Sequence, residues 1–350
     1  MNMQERYMQR CLELALLGAG TVSPNPMVGA VIVHENKIIG EGYTSPYGGP
    51  HAEVNAIQQV KDQYPDSADR LLEESDMYVS LEPCAHFGKT PPCANLIVKH
   101  NLRKVYIACM DPFAEVNGKG LGILQEAGIE IEVGLLEKEA LWLNRRFFTR
   151  VRQNRPYIIL KWAETADGYM AKNTDEQAWI SNEASKQLVH KWRSEEDAIL
   201  VGTRTALIDN PSLTVREWEG SNPKRVLIDK QLSVPETAAI FSEDADTIVF
   251  NAVKTDWQGR IKYIELENYD LYLPQNILYQ LYLMDIQSVI IEGGAKTLQH
   301  FIDAGLWDEA RVIKSKVFWE DGIKAPVIEG ELKEQHTVAS DDVYLIVKKN

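Results

Sequence analysis

The sequence predicts two successive α/β domains, on three observations. The chain has 350 residues, more than one hydrophobic core ordinarily takes, since domains cluster at about 100–200 residues. In both halves, short apolar runs of strand length alternate with stretches whose apolar residues recur at helical spacing, the pattern of layered α/β folds. Between the halves, Arg150-Val151-Arg152-Gln153-Asn154-Arg155-Pro156 is a polar, basic run with few core positions. A domain boundary belongs in such a run, which gives domains at residues 1–150 and 151–350.

Residues 1–20 carry Glu5, Arg6, Arg10 and Glu13 among apolar positions and read as an amphipathic helix, not a signal peptide. Residues 27–33 and 37–42 flank the polar break His34-Glu35-Asn36, as in a β-hairpin. From His51 onward Ala52, Ala56, Ile57 and Val60 take helical spacing, and 77–81 reads as a buried strand. Pro91-Pro92 opens a helix through Ile97 and Val98, followed by a strand at 104–109, a helix at 120–126, a strand at 129–133 and a charged helix over 137–151. The second half offers strands at 157–162, 198–202, 225–229, 247–251, 288–292, 310–317 and 343–348, with helices at 182–194, 277–284 and 297–304.

Composition narrows the function classes. Apolar residues at 45% and charged residues at 25% match a soluble globular average and exclude a mainly disordered chain. The balance 37 − 51 = −14 argues against nucleic acid or an anionic membrane as partner, so an anionic ligand needs a local basic pocket. No segment approaches the ~20 consecutive apolar residues of a membrane span. Four cysteines (Cys11, Cys84, Cys93, Cys109) without a secretion signal predict reduced thiols and a cytoplasmic protein.

His51-Ala52-Glu53 opens an expected helix, Pro83-Cys84 follows a strand, and Cys93 opens the next helix. One imidazole and two thiolates suit tetrahedral zinc, with the fourth position left to water. Zinc lowers the pKa of that water toward about 7, so that it can attack an amidine carbon. A carboxylate outside the metal must carry the proton to the leaving amine, and Glu53 is the candidate. Singly, such residues read as ordinary buried side chains, and Cys11 and Cys109 keep that reading. Zinc base deaminases carry His-x-Glu and a later Pro-Cys-x-x-Cys, whereas here Ala85 to Pro92 separate the thiols. Two prolines and a glycine let that insert form a loop that returns Cys93 to the helix start. His86 within the loop reads as a substrate or supporting residue.

In the second half the strand at 288–292 enters Gly293-Gly294 and then a helix beginning near Thr297. Glycines let the backbone approach a phosphate, at which the first amides of a helix point. The spacing is not the Gly-x-Gly-x-x-Gly fingerprint of the Rossmann fold, and alone it reads as a plain turn.

Pro-Cys-x-x-x-Gly-x-x-Pro-Pro-Cys from Pro83 to Cys93, with Pro24-Asn25-Pro26-Met27-Val28-Gly29, resembles the deaminase domain of the bifunctional deaminase–reductase family of riboflavin biosynthesis. Leu160-Lys161-Trp162-Ala163-Glu164-Thr165-Ala166-Asp167-Gly168, Trp179-Ile180-Ser181 and the segment from Val201 to Arg216 resemble the reductase domain of the same family, so the resemblance covers nearly the whole chain. It implies a cytidine-deaminase-like three-layer domain followed by a dihydrofolate-reductase-like α/β domain, with Zn2+ and NADPH as cofactors and a homo-oligomer as the assembly. It implies hydrolytic deamination of 2,5-diamino-6-(ribosylamino)-4(3H)-pyrimidinone 5′-phosphate, then reduction of the ribosyl side chain to give 5-amino-6-ribitylaminouracil 5′-phosphate.

Residue by residue, the resemblance implies substrate contacts at Asn25 and Lys89 in the first half and at Gln177, Arg193, Leu213, Arg216 and Glu292 in the second. Ala163, Trp179, Thr205, Asp209 and Lys230, with Gly294, Ala295, Lys296, Thr297, Leu298, Gln299 and His300, would line the NADPH site, and Asp209 would also assist the reduction. Arg193 and Arg216 supply the forked, permanently charged groups that a ribose phosphate needs. Two positions depart from the family. Gly42-Tyr43-Thr44 stands where many members have Gly-Tyr-His, so the Thr44 hydroxyl replaces a histidine contact or the contact is missing. Lys230 stands where a small hydroxyl residue is common, and it either reaches the 2′-phosphate of NADPH or faces water.

Two other functions fit parts of this pattern. A nucleic-acid base deaminase with a C-terminal RNA-binding module is opposed by the acidic total and by the lack of a basic, aromatic-interleaved stripe. A structural zinc site beside a nucleotide-sensing domain is opposed by three ligands in place of four, and by Glu53.

Overall fold

The computed structural model describes residues 1–85, 91–113, 117–174 and 179–349. The chain divides into two compact units, Met1–Asn154 and Arg155–Asn350.

The first unit runs α1 (Met3–Leu16), β1 (Gly29–His34), β2 (Lys37–Tyr43), α2 (Ala52–Gln63), α3 (Ala68–Glu73), β3 (Asp76–Val79), α4 (Cys93–Lys99), β4 (Lys104–Ile107), α5 (Lys119–Glu126), β5 (Glu130–Val133), α6 (Glu137–Leu143) and α7 (Arg145–Gln153). Asn2 and Glu5 form a capping box that starts α1. Glu35 and Asn36 both take positive φ, 45° and 61°, as the tight turn between β1 and β2 requires. The sheet order is β2-β1-β3-β4-β5, with β1 antiparallel to both neighbours and β3, β4 and β5 parallel.

Two glycines show how helices cover both faces of this sheet. A Cβ on Gly29 would lie 1.9 Å from the Cys11 carbonyl oxygen of α1, and one on Gly42 would lie 2.3 Å from the Ala52 carbonyl oxygen of α2. Gly42 pairs with Ala30, the neighbour of Gly29, and successive strand residues face opposite sides. Helices α1 and α2 therefore lie on opposite faces, each pressed against backbone that has no room for a side chain. The charged stretch expected as one helix over 137–151 is two, α6 and α7, broken at Asn144 with φ −96° and ψ 19°. Helix α3 was not anticipated, being too short to show a period.

The second unit runs β6 (Tyr157–Glu164), β7 (Tyr169–Ala171), α8 (Glu183–Glu195), β8 (Ala198–Gly202), α9 (Thr203–Asp209), β9 (Lys224–Ile228), β10 (Thr247–Asn251), β11 (Asp256–Gln258), β12 (Ile261–Glu265), α10 (Leu273–Leu283), β13 (Ser288–Ile291), α11 (Ala295–Asp303), β14 (Glu309–Lys314), β15 (Ile323–Lys324), β16 (Gly330–Val338) and β17 (Asp341–Lys348). Its large sheet is ordered β11-β12-β10-β9-β8-β13-β6-β14-β17-β16, parallel from β12 through β14 and antiparallel at both ends. Ile158, Leu160 and Trp162 of β6 pack with Ile277, Leu281, Leu298 and Phe301. Tyr157 and Ile159 pack with Val189, Trp192 and Ala206. Burial on both faces is why these strands read as unbroken apolar runs.

Strand β13 inserts between β8 and β6 although it follows β12 in the chain. Connections diverge there, and ligands of open α/β sheets bind at the carboxyl ends of strands at such a switch point. Strands β7, β11, β12, β15 and β16 and helix α9 were not anticipated. Strand β16 is exposed along most of its length, so its residues carry no apolar alternation to read.

Candidate functional site

The first centre forms where β1 begins and β3 ends. His51 is the N-cap of α2 with extended backbone, Cys84 follows β3, and Cys93 is the first residue of α4. The Nδ1 of His51 lies 3.6 Å from Cys84 Sγ and 3.4 Å from Cys93 Sγ, and the three ligand atoms lie within 4.8 Å of one another. One imidazole and two sulfurs converging at that separation fit a tetrahedral zinc ion with one open position. The amide of Cys93 donates to Cys84 Sγ at 3.3 Å.

Charge at the centre is tightly coupled. The Cys84 thiol is lowered to about 4, chiefly by the hydrogen bond from the Cys93 thiol and, against burial, by His51. Cys93 is raised by that same bond and by burial. His51 is raised to about 8, first by its hydrogen bond to Cys84. A divalent cation relieves this competition by taking both sulfurs as thiolates. Glu53, only 3% exposed and hydrogen-bonded to Cys93, is raised by burial first and then by the Cys84 charge. A carboxyl of raised pKa beside a metal site is suited to carrying a proton.

Asn25 sits in the turn before β1, where its amide donates to the Val22 carbonyl at 3.0 Å. Thr44 is 4% exposed, and its hydroxyl meets the Val28 amide at 3.3 Å and the Val28 carbonyl at 3.4 Å. Both contacts of that hydroxyl are to backbone. Glu82 was missed by sequence reasoning. Its buried carboxylate accepts from the amides of Asp111 (3.3 Å), Gly118 (3.1 Å) and Gly120 (3.1 Å), tying a distant loop to Pro83-Cys84. Lys89 and His86 lie outside the described residues, as does Gln177.

The second centre lies at the carboxyl ends of β6, β8 and β13. Arg193 of α8 grips Glu292 with Nη2–Oε2 at 2.8 Å and Nε–Oε1 at 3.4 Å, and Lys161 Nζ of β6 lies 3.8 Å from Glu292 Oε2. Burial alone would raise Glu292, but Arg193 and then Lys161 outweigh it and hold the carboxyl at about 2. Burial lowers the Lys161 amine, partly offset by Glu292. The Arg193 fork, expected to be open for phosphate, is thus committed to a carboxylate, because a buried guanidinium needs a counter-charge. Lys161 was not singled out, although it lies inside a quoted motif.

Arg216 instead meets neutral partners, the hydroxyls of Ser212 and Thr214, which leaves its charge uncompensated by those contacts. Its amide donates to Nδ1 of His190 at 3.2 Å, a histidine whose pKa is lowered by burial first, then by Arg193 and Arg216. Leu213 takes a left-handed φ of 56° while its side chain is buried in the core. A non-glycine residue rarely adopts that conformation, and here it turns the flanking hydroxyls toward Arg216. Asp209 ends α9, partly buried, and burial raises its carboxyl.

Thr205 joins two segments, its Oγ1 accepting from the Gly294 amide at 3.0 Å. Helix α11 begins at Ala295 with Gly294 as its N-cap, two positions before the expected start at Thr297. Leu298 is buried in the core, Gln299 bonds to Asp303 at 2.6 Å, and Ala295, Lys296 and Thr297 form the first turn of the helix. Ala163 lies near the end of β6, paired with Ile313. Trp179 is 68% exposed, with the Lys186 amine 5.7 Å from its ring centroid. Lys230 pairs with Asp270 and sits 5.6 Å from the Tyr269 ring centroid.

Residues 1–109 match the family model of the cytidine and deoxycytidylate deaminase zinc-binding region, and residues 156–318 match the RibD C-terminal domain. The riboflavin biosynthesis protein RibD of Bacillus amyloliquefaciens is 40% identical over 338 residues, 94% of this chain and 89% of its own length. The chain belongs to the RibD family. It is a bifunctional enzyme of riboflavin biosynthesis, a deaminase followed by a reductase. RibD of Aquifex aeolicus is 38% identical over 329 residues, 92% of this chain and 89% of its own length. Among solved structures, the Thermotoga maritima diaminohydroxyphosphoribosylaminopyrimidine deaminase/5-amino-6-(5-phosphoribosylamino)uracil reductase superposes with a TM-score of 0.90 at 33% identity, and Acinetobacter baumannii RibD with 0.89 at 31%, each covering 99% of both chains.

As in RibD relatives, the first half is a zinc-binding deaminase domain, and the reductase half implies a nicotinamide cofactor. With the second half matched to the RibD C-terminal domain, an RNA-binding module there is not favoured. Among the described residues no helix is long and apolar enough to cross a membrane.

Proposed function

We propose that the first half hydrolyses the 2-amino group of 2,5-diamino-6-(ribosylamino)-4(3H)-pyrimidinone 5′-phosphate and that the second half reduces the ribosyl side chain with NADPH. The observation that carries the first reaction is the convergence of His51, Cys84 and Cys93 beside a buried Glu53. Zinc held by those three residues would supply a water of lowered pKa as nucleophile. Glu53 takes the proton from that water and delivers it to the departing amine, which leaves as ammonia. Asn25 and Lys89 hold the pyrimidine and its sugar phosphate.

For the second reaction, NADPH bound there would supply a hydride to C1′ of the ribosylamino group, the bond from C1′ to the ring oxygen breaking as a proton reaches that oxygen, which leaves ribitylamino. Ala163, Trp179, Thr205, Asp209 and the first turn of α11 would hold the cofactor, with Gly294 to Thr297 offering backbone to a phosphate and Lys230 a charge to the 2′-phosphate. Arg216, presented by the Ser212 and Thr214 hydroxyls, takes the substrate phosphate as a forked donor. Lys161 and Glu292 face the sugar at the ends of β6 and β13, with Arg193 and Gln177 beside them, and Asp209 orients the substrate or passes a proton. The protein acts as a cytoplasmic homo-oligomer.

The test supplies the diamino pyrimidine and follows ammonia and NADPH separately. Ammonia release that precedes NADPH oxidation, and NADPH oxidation that needs the deaminated product, are expected. NADPH oxidation on the undeaminated substrate at the full rate would overturn the order of reactions.

A further inference from the structure

We propose that Asn144 is a positioning residue of the deaminase, fixing through Met27 the turn that presents Asn25 to the pyrimidine; this rests on the assignment of Asn25 as a substrate contact. Asn144 is 2% exposed and lies at the junction of α6 and α7, far in sequence from the turn it holds. Its own backbone is already used by the two helices: its amide donates to the Ala140 carbonyl at 3.1 Å, and its carbonyl accepts from Phe148 at 3.0 Å. The side-chain amide is thus spare, and it makes a reciprocal pair with Met27. The Met27 amide donates to Asn144 Oδ1 at 2.8 Å, and Asn144 Nδ2 donates to the Met27 carbonyl at 2.8 Å.

A carboxamide carries a donor and an acceptor in one plane, so it can satisfy both peptide groups of a single residue and fix its orientation as a neighbouring strand would. The constraint continues along the chain. Val28 is held by Thr44, whose amide donates to the Val28 carbonyl at 2.9 Å, and the Gly29 amide donates to Ser80 Oγ at 3.0 Å. Three consecutive residues are therefore tied to the α6–α7 junction, the end of β2 and the end of β3. Upstream, the bond from Asn25 to Val22 closes the turn. Of the three ties downstream of Asn25, the one at Met27 is nearest to it, and an apolar side chain of equal size at 144 would leave two peptide groups without partners. The helix break falls at the same residue, with φ −96° and ψ 19° at Asn144.

The test uses the full-length zinc-loaded enzyme and the variants Asn144→Ala, Asn25→Ala and the double variant, with Asn144→Ser as a milder replacement should the alanine variant not accumulate. Asn144→Ala is expected to raise KM for ammonia release about tenfold, the size of one or two lost hydrogen bonds, with a much smaller change in kcat. Zinc content and NADPH oxidation on the deaminated pyrimidine stay at wild-type levels. The double variant is expected to match Asn25→Ala alone, because the tie has nothing left to position. An unchanged KM in the Asn144 variants overturns the proposal while leaving the Asn25 assignment standing. Effects of the two single variants that multiply in the double variant, or a loss of zinc and of reductase turnover alongside deamination, also overturn it. A normal KM in Asn25→Ala with a raised KM in Asn144→Ala removes the Asn25 assignment and the link between the two residues together.

Discussion

Arg193 and Glu292 form a forked ion pair, 2.8 Å between Nη2 and Oε2, and Lys161 stands 3.8 Å from the same oxygen. Two cations surround one carboxylate in a largely buried site, so the carboxyl ends of β6 and β13 carry a local excess of positive charge in a chain of net charge −14. An acidic protein that handles anionic ligands needs such a pocket, because its overall field repels them.

The pair makes stability depend on acid. Glu292 sits at about 2 in the fold because Arg193 and Lys161 outweigh the opposing effect of burial. A carboxyl depressed by folding binds protons more readily in the unfolded chain, so its stabilising share is present above the ordinary Glu value of about 4.3 and is lost as pH falls toward 2. Glu292→Gln is expected to cost about 3 kcal/mol at pH 7 by leaving buried cations uncompensated. Urea unfolding of both proteins between pH 7 and 3 should show that gap narrowing as pH falls below about 4.5; a constant gap would remove the linkage.

The role proposed for Glu53 separates metal binding from proton transfer. Glu53→Gln is expected to retain zinc and lose ammonia release by a factor of about 100 to 10,000, with NADPH oxidation on the deaminated product unchanged. Metal analysis and the ammonia assay on one preparation decide it, and normal deamination would end the assignment.

Zinc removal should silence one half only. A chelator, or Cys84→Ser, is expected to abolish ammonia release while the reductase continues on supplied product, since the ligands His51, Cys84 and Cys93 all belong to the first unit. Loss of both activities together would place the metal's role elsewhere.

Arg225 should matter to stability more than any surface arginine. It is fully buried and donates to Thr247 Oγ1 at 3.0 Å, to Ser242 Oγ at 2.9 Å and to the carbonyls of Ala239, Ser242 and Ala245. Arg225→Met leaves the buried Thr247 hydroxyl and Ala245 carbonyl without that donor and is expected to cost about 3 to 5 kcal/mol, read as a lower urea midpoint. A midpoint equal to wild type would show that the acceptors find other partners.

The zinc ligands were legible because each stands at an element boundary inside a local motif: His51 before an apolar helical stretch, Cys84 after a strand and Cys93 after two prolines. Glu82, Asn144 and Arg225 were not, although each is as firmly placed. Glu82 and Asn144 bond to backbone groups of segments remote in sequence, Arg225 bonds to carbonyls and to two hydroxyls, and a backbone carbonyl or amide looks alike at every residue. Arg193 and Arg216 looked equivalent in sequence, yet one faces Glu292 and the other two hydroxyls. Leu213 and Leu298 fell in motif positions assigned to ligands, but their side chains fill the core, which leaves only backbone to a substrate or cofactor there.

By itself the sequence determined two α/β units, the order of most of their strands and helices, a His-Cys-Cys metal set, and membership of a bifunctional deaminase–reductase family, because periodicity and short motifs are local properties of the chain. Only the tertiary structure decided which charges meet, that Thr44 and Asn144 hold backbone, and that β13 enters between β6 and β8 to bring Lys161, Glu292 and the first turn of α11 to one end of the sheet. Burial strips water from polar groups and forces each to find a partner, and that choice exists only once distant segments are packed together.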